Sequence, residues 1–197
     1  MDYCSIQDFH NALHDTGHFA SIRPHYIEGL CRTTHFAECR AVVESVDVLL
    51  HAPITNKAMA LAERAYAILH GERGELIGNF TILHRELNSH TSIILEDIPQ
   101  GEILESAMLT MSQDKLLSGL KEFEERMRRA DISHNNLRKQ NIVVDRDGYW
   151  HPIRLYYTTI GYGGDSRELE TLCAEIKRVA PVDDCLNEPL SAYRTAY

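Results

Sequence analysis

The sequence of 197 residues predicts an α+β fold in two lobes. Three observations carry this prediction. Apolar, β-branched stretches cluster in the first half around one helix; two strongly amphipathic helices lie in the second half; a short hairpin separates those two helices. The break near Pro99 and Gly101 divides the chain into residues 1–98, an N-terminal extension plus a β-rich lobe, and residues 99–197, a reduced and mostly helical lobe.

The elements follow in order. From Ser5 to His18 the pattern is weakly helical, with Ile6, Phe9 and Leu13 at helical spacing. The stretch "AECRAVVESVDVLLHAP" predicts two strands near 37–44 and 46–52, ended by Pro53. "TNKAMALAERAYAILHGERGE" predicts a helix capped by Thr55 or Asn56, with Gly71 just past its end. "GNFTILHREL" and "HTSIILEDI" read as two strands joined by a turn at Asn88-Ser89. "SQDKLLSGLKEFEERMRRA" is a long helix with Ser112 at its N-cap. Its apolar stripe is Leu116, Leu117, Leu120, Phe123 and Met127, with Glu122, Glu124 and Glu125 on other faces. A strand at 142–145, the turn "DRDG" and a strand "HPIRLYY" come next. Gly161, Gly163 and Gly164 lead into "DSRELETLCAEIKRVA", a helix capped by Asp165 or Ser166 and followed by Pro181. Residues 181–197 fit no element.

Composition limits the function. The net charge of −9 and pI near 5.6 argue against nucleic-acid binding, which draws its affinity from cations placed on phosphates. A local basic patch is still compatible with that charge, and one candidate is Arg126, Arg128 and Arg129 with Arg138 and Lys139. No run of 18 apolar residues is present, so no membrane span is expected. The N-terminus is polar and acidic, unlike a signal peptide. The five cysteines are odd in number and form no CxxC pair, which points to free thiols and a cytoplasmic setting.

The stretch "DISHNNLRKQNIVVDRDG", residues 131–148, has the cadence of a catalytic loop. It resembles the H-R-D-L-x-x-x-N loop of the protein kinases, here as His134, Asn135, Asn136, Leu137 and then Asn141. "SIILEDIPQGEIL" is similar to the segment joining the two kinase lobes, and "GYGGDSRELETL" to the approach to the helix that family calls αF. The resemblance runs from about residue 37 to 180, and only the loop is fairly specific. It implies a two-lobed kinase-like fold that stops soon after the αF-like helix. It also gives Asp165 a structural role, accepting hydrogen bonds from the loop backbone, and makes His134 a packed support beneath the loop.

Four departures from the family pattern decide the functional expectation. The catalytic base maps to Asn136, an amide that cannot accept a proton at neutral pH. The metal-holding D-F-G triplet maps to Leu155, Tyr156 and Tyr157, and leucine offers Mg²⁺ no oxygen. The phosphate-pairing lysine maps to His51, which leaves Glu63, in the place of the family's αC glutamate, without its partner. The glycine-rich loop is missing, since Gly29 is the only glycine between 18 and 70. Phosphoryl transfer rests on positioning and charge stabilisation, and these losses remove both. The resemblance therefore implies a pseudokinase that acts by binding, as scaffold or regulator, with ATP binding weak or absent and no cofactor. The alternative is a divergent small-molecule phosphotransferase in which Asp145, Asp147 or Glu96 takes over metal binding.

Simpler readings bound the other motifs. Asn136 and Asn141 also suit turn positions, where amide side chains satisfy backbone groups. His10, His14 and His18 recur every fourth residue, but Gly17 weakens the turn and no further ligand accompanies them. Cys31, His35 and Cys39 lack the fourth ligand of a structural zinc, so buried thiols are expected and no metal. Trp150 with Tyr149, Tyr156, Tyr157 and Tyr162 reads as core and turn packing, or else as an interface. Leu169, Leu172, Cys173 and Ile176 are apolar where the family places later helices. Their cover is expected from a protein partner or a homo-oligomer, over the alternative of residues 181–197 folding back.

Overall fold

The computed structural model describes residues 24–32, 35–43, 46–53, 55–78, 80–84 and 92–179. The helix expected at 5–18, the turn at 88–89 and the segment 181–197 lie outside them.

The architecture is α+β. Strands β1 (Pro24–Arg32), β2 (Phe36–Val43), β3 (Val46–Pro53), β4 (Phe80–His84) and β5 (Ser92–Asp97) make one antiparallel sheet in the order β1-β2-β3-β5-β4. β1 was not expected from the sequence. β3 is the central strand and is buried from Val48 to Ala52. That explains why "VLLHA" does not alternate between apolar and solvent-facing polar residues. Helix α1 (Asn56–Leu69) starts where Thr55 Oγ1 accepts the Ala58 amide at 3.1 Å. It lays Ala58, Ala62, Ala65, Ile68 and Leu69 inward; the three alanines let it approach closely. A short helix α2 (Glu72–Ile77) follows, starting at Gly71, whose φ of 87° suits glycine.

The second half is built on helix α4. After β6 (Glu102–Ile103) and α3 (Leu104–Thr110), α4 (Gln113–Ala130) buries Leu116, Gly119, Leu120, Phe123, Met127 and Ala130. Ser112 takes the N-cap position, but its side chain does not bond a helix amide. Gly119 lies against the hairpin of β8 (Ile142–Val144) and β9 (Trp150–Pro152). A Cβ there would come within 2.1 Å of the Gly148 carbonyl and 2.7 Å of the Trp150 ring. Two short strands, β7 (Ile132–Ser133) and β10 (Thr159–Ile160), pair beside the loop between them. Helix α5 (Ser166–Arg178) packs on α4, and Gln113 Nε2 donates to the Ile176 carbonyl at 3.0 Å.

The strand expected across "HPIRLYY" is corrected. β9 ends at Pro152, Arg154 turns into the left-handed region at φ 62°, and Leu155–Tyr157 form a 3-10 turn that packs on α1. Leu155 and Tyr156 are thereby buried in a core that also holds Phe36 of the sheet, Ala58 of α1 and Phe123 of α4. Among the described residues the larger hydrophobic cluster draws on both halves, and a smaller one joins Leu49 of β3 to Val143 and Ile153. No helix among the described residues is long and apolar enough to cross a membrane.

Candidate functional site

Pleating sends Glu38 and Cys39 of β2 to opposite faces of the sheet. The Cys39 thiol is buried and pushed up to about 12 by that burial, which makes it a poor metal ligand. Glu38 faces the second half, beside His51 of β3 and Glu96 of β5. All three are essentially solvent-free, at 2%, 0% and 1% exposure. His51 Nε2 donates to Glu96 Oε2 at 3.0 Å, and its Nδ1 stands 3.5 Å from Glu38 Oε1.

The second half completes the cluster through the turn the sequence did not reveal. The left-handed backbone at Arg154 aims its guanidinium back at the sheet. Its Nε donates to Glu38 Oε2 at 2.8 Å and its Nη1 to Asn141 Oδ1 at 2.7 Å. The Tyr156 hydroxyl donates to Glu38 Oε1, and its ring lies against Phe36 at 4.0 Å between centroids. Two carboxyl groups thus face one guanidinium and one imidazole.

The electrostatics follow from these contacts. Burial would push Glu38 up, but His51, Arg154 and Tyr156 together hold its carboxyl down to about 2. Burial would lower His51, yet the carboxylates of Glu38 and Glu96 raise it above the ordinary histidine value. A charged His51 gives the cluster two cations for its two carboxylates. Glu96 Oε1 has no hydrogen-bond partner among the described residues.

The loop from His134 to Asn141 is held by its own set of bonds. Asp165, at the N-cap of α5, does not cap that helix with its side chain. Its two oxygens accept the backbone amides of His134 and, at 2.6 Å, Asn135. Burial raises the Asp165 carboxyl against the opposing pull of those amides. His134 is fully buried, donates from Nε2 to the Ile153 carbonyl at 2.9 Å, and is lowered to about 4 by burial, so it is neutral. Asn141 donates from Nδ2 to the Asn136 carbonyl at 2.7 Å, tying the loop across its base.

The structure brings together His51 and Asn141, both through Arg154 and Glu38, and His134 with Asp165. It does not bring Glu63 to His51: Glu63 is exposed on α1, and Glu38 and Glu96 take its expected place. Leu155 is a core residue at 1% exposure. His10, His14 and His18 lie outside the described residues, and so does the Cys31 side chain. Asp145, Asp147 and Glu96 do not converge. Asp145 accepts the amides of Asp147 and Tyr149 and meets His151 Nε2 at 3.1 Å, while Glu96 is held by His51. No group of three potential ligands suited to a metal occurs among the described residues. Asn141 Oδ1, the amide oxygen that the kinase resemblance would give to a metal ion, accepts from Arg154 Nη1.

Glu38 and Arg154 were missed at the sequence level, whereas Tyr156 was expected only as core packing or an interface residue, not as a partner of Glu38. Glu38 left one signal, an acid inside the apolar strand "FAECRAVV". Arg154 left none, because its direction depends on a backbone turn. No protein-family model matches this chain, and a search of the curated proteins finds none similar to it.

Proposed function

We propose that this protein is a catalytically inactive, kinase-like binding protein, a pseudokinase that serves as scaffold or regulator. One observation carries the reading. The guanidinium of Arg154 sits on Asn141 Oδ1 and Glu38, so that a cation of the chain's own occupies the acceptor a metal ion would need. The same cluster turns carboxyl groups of Glu38 and Glu96 toward His51, the residue standing for the phosphate-pairing lysine. Polyphosphate placed beside them would meet like charge in a dry setting, where repulsion is strong. Two polar side chains are committed to holding the loop: Asp165 by two of its amides, and Asn141 by Arg154 and the Asn136 carbonyl. With the interior given over to structure, the surface is what remains to recognise a partner protein or a second copy.

Thermal denaturation of the full chain with Mg²⁺-ATP, against Mg²⁺ and ATP alone, tests this. A ligand at a hundredfold excess over its Kd stabilises a fold by about 2.7 kcal/mol. No metal-dependent rise in Tm is expected up to millimolar ATP. A clear, magnesium-dependent rise at sub-millimolar ATP would overturn the reading and favour a phosphotransferase.

A further inference from the structure

Between α4 and α5 runs a groove of about 500 Å³. Leu117, Leu120, Leu169 and Cys173 form its floor, and Lys121 and Lys177 stand on its rim. Leu172 and Ile176 are already buried in the core, as are Leu120 and Leu169 for the most part. What remains open is therefore narrow, set by half-buried Leu117 and Cys173. A stable protein–protein contact covers roughly 800 Å² on each partner, far more than this slot offers. One chain segment fits it better than a second globular surface.

Charge indicates which kind of segment. Lys121 and Lys177 have no ion-pair partner among the described residues. Two acids, Glu124 and Glu170, also line the groove, and Glu124 accepts from the Tyr162 hydroxyl at 2.8 Å, but neither pairs with the two lysines. The two unpaired ammonium groups, rather than any net charge of the rim, call for carboxylates flanking apolar side chains. Residues 180–197 have that composition: Asp183, Asp184 and Glu188 against the single Arg194, with Val182, Leu186, Leu190 and Tyr193 among them. The last described residue, Val179, is two positions beyond Lys177 on the rim, and Pro181 bars continuation of α5. The 18 residues from 180 to 197 can reach roughly 60 Å when extended, against about 20 Å for the length of α5.

We infer that the α4–α5 groove is a docking site for the chain's own residues 180–197, seated by apolar contacts on Leu117 and Cys173 and by carboxylates at Lys121 and Lys177. This goes beyond the pseudokinase reading and does not depend on it. It also replaces the expectation that a second chain covers this face with cover from the same chain.

The sequence supplies a probe. Cys173 is a free thiol in the groove, and Cys185 lies within the proposed occupant. A disulfide between them requires their Cα atoms to approach within about 7 Å. The reduced full chain at low micromolar concentration is oxidised briefly with copper–phenanthroline, and the linked peptides are mapped by mass spectrometry. The expected product is a Cys173–Cys185 link within one chain. Because a loose tether alone gives some pairing, the charge test decides. Lys121→Glu with Lys177→Glu should slow the link about tenfold, by making two rim pairs repulsive. Adding Asp183→Lys and Asp184→Lys should restore the rate. A rate unmoved by reversal and swap would overturn the proposal, and so would a link formed mainly between chains, which would make the occupant a second copy.

Discussion

Replacing Glu38 by glutamine is the sharpest perturbation of the buried cluster. The amide keeps the volume and one acceptor oxygen, but it removes the charge that faces Arg154 and His51. The magnitude follows from the proton affinity of Glu38. Its carboxyl falls from an ordinary 4.5 to about 2 on folding. Because the folded protein holds this proton more weakly than the unfolded chain, the ionised group stabilises the fold. That contribution is complete above about pH 4.5 and is lost as pH falls toward about 2. At about 1.4 kcal/mol per pH unit it amounts to about 3 kcal/mol at pH 7 and about half that at pH 3. Denaturant unfolding of the wild type and Glu38→Gln at both pH values measures it, provided the slopes match. The expected loss is about 3 kcal/mol at pH 7, shrinking by half or more at pH 3. A loss below about 1 kcal/mol at pH 7, or one equal at both pH values, would refute the electrostatic account.

Two further outcomes follow from other contacts. Asp165→Ala leaves the His134 and Asn135 amides without their acceptor and should cost about 2–4 kcal/mol in equilibrium unfolding. Asp165→Asn should recover only part of this, since its NH2 would face an amide; full recovery would show that the two bonds are not the cause. Gly119→Ala would favour an exposed helix by about 1 kcal/mol. Here the added methyl meets the Gly148 carbonyl and the Trp150 ring, so a loss of about 1–3 kcal/mol is expected, read as a lowered Tm. A Tm at or above the wild type would mean that α4 and the hairpin can part freely.

Most of the elements could be read from the sequence because their signals are local. The Thr55 cap and the alanine-rich face placed α1 to within a residue, and the stripe of Leu116, Leu120, Phe123 and Met127 placed α4. β1 was missed because "PHYIEGLCR" mixes polar and apolar residues without clean alternation. The strand expected across "HPIRLYY" failed for a tertiary reason: β-prone Tyr156 and Tyr157 are drawn into a tight turn by burial against Phe36 and α1. The site divided in the same way. The bonds from Asp165 to the loop amides were expected only through the resemblance to the protein kinase loop. The Glu38–His51–Glu96–Arg154 cluster was not, since it joins residues up to 116 apart through a φ angle no local signal encodes.

Arg154 has one more consequence. A dissolved ion or nucleotide fills a site in proportion to its concentration, and leaves when that concentration drops. A guanidinium carried on the same backbone, 13 residues from Asn141 and fixed by a left-handed turn, has no bulk pool to return to. Its occupancy is set at folding and stays constant through swings in magnesium, nucleotide or salt. The fold around such a centre therefore keeps it filled without drawing on any dissolved ligand.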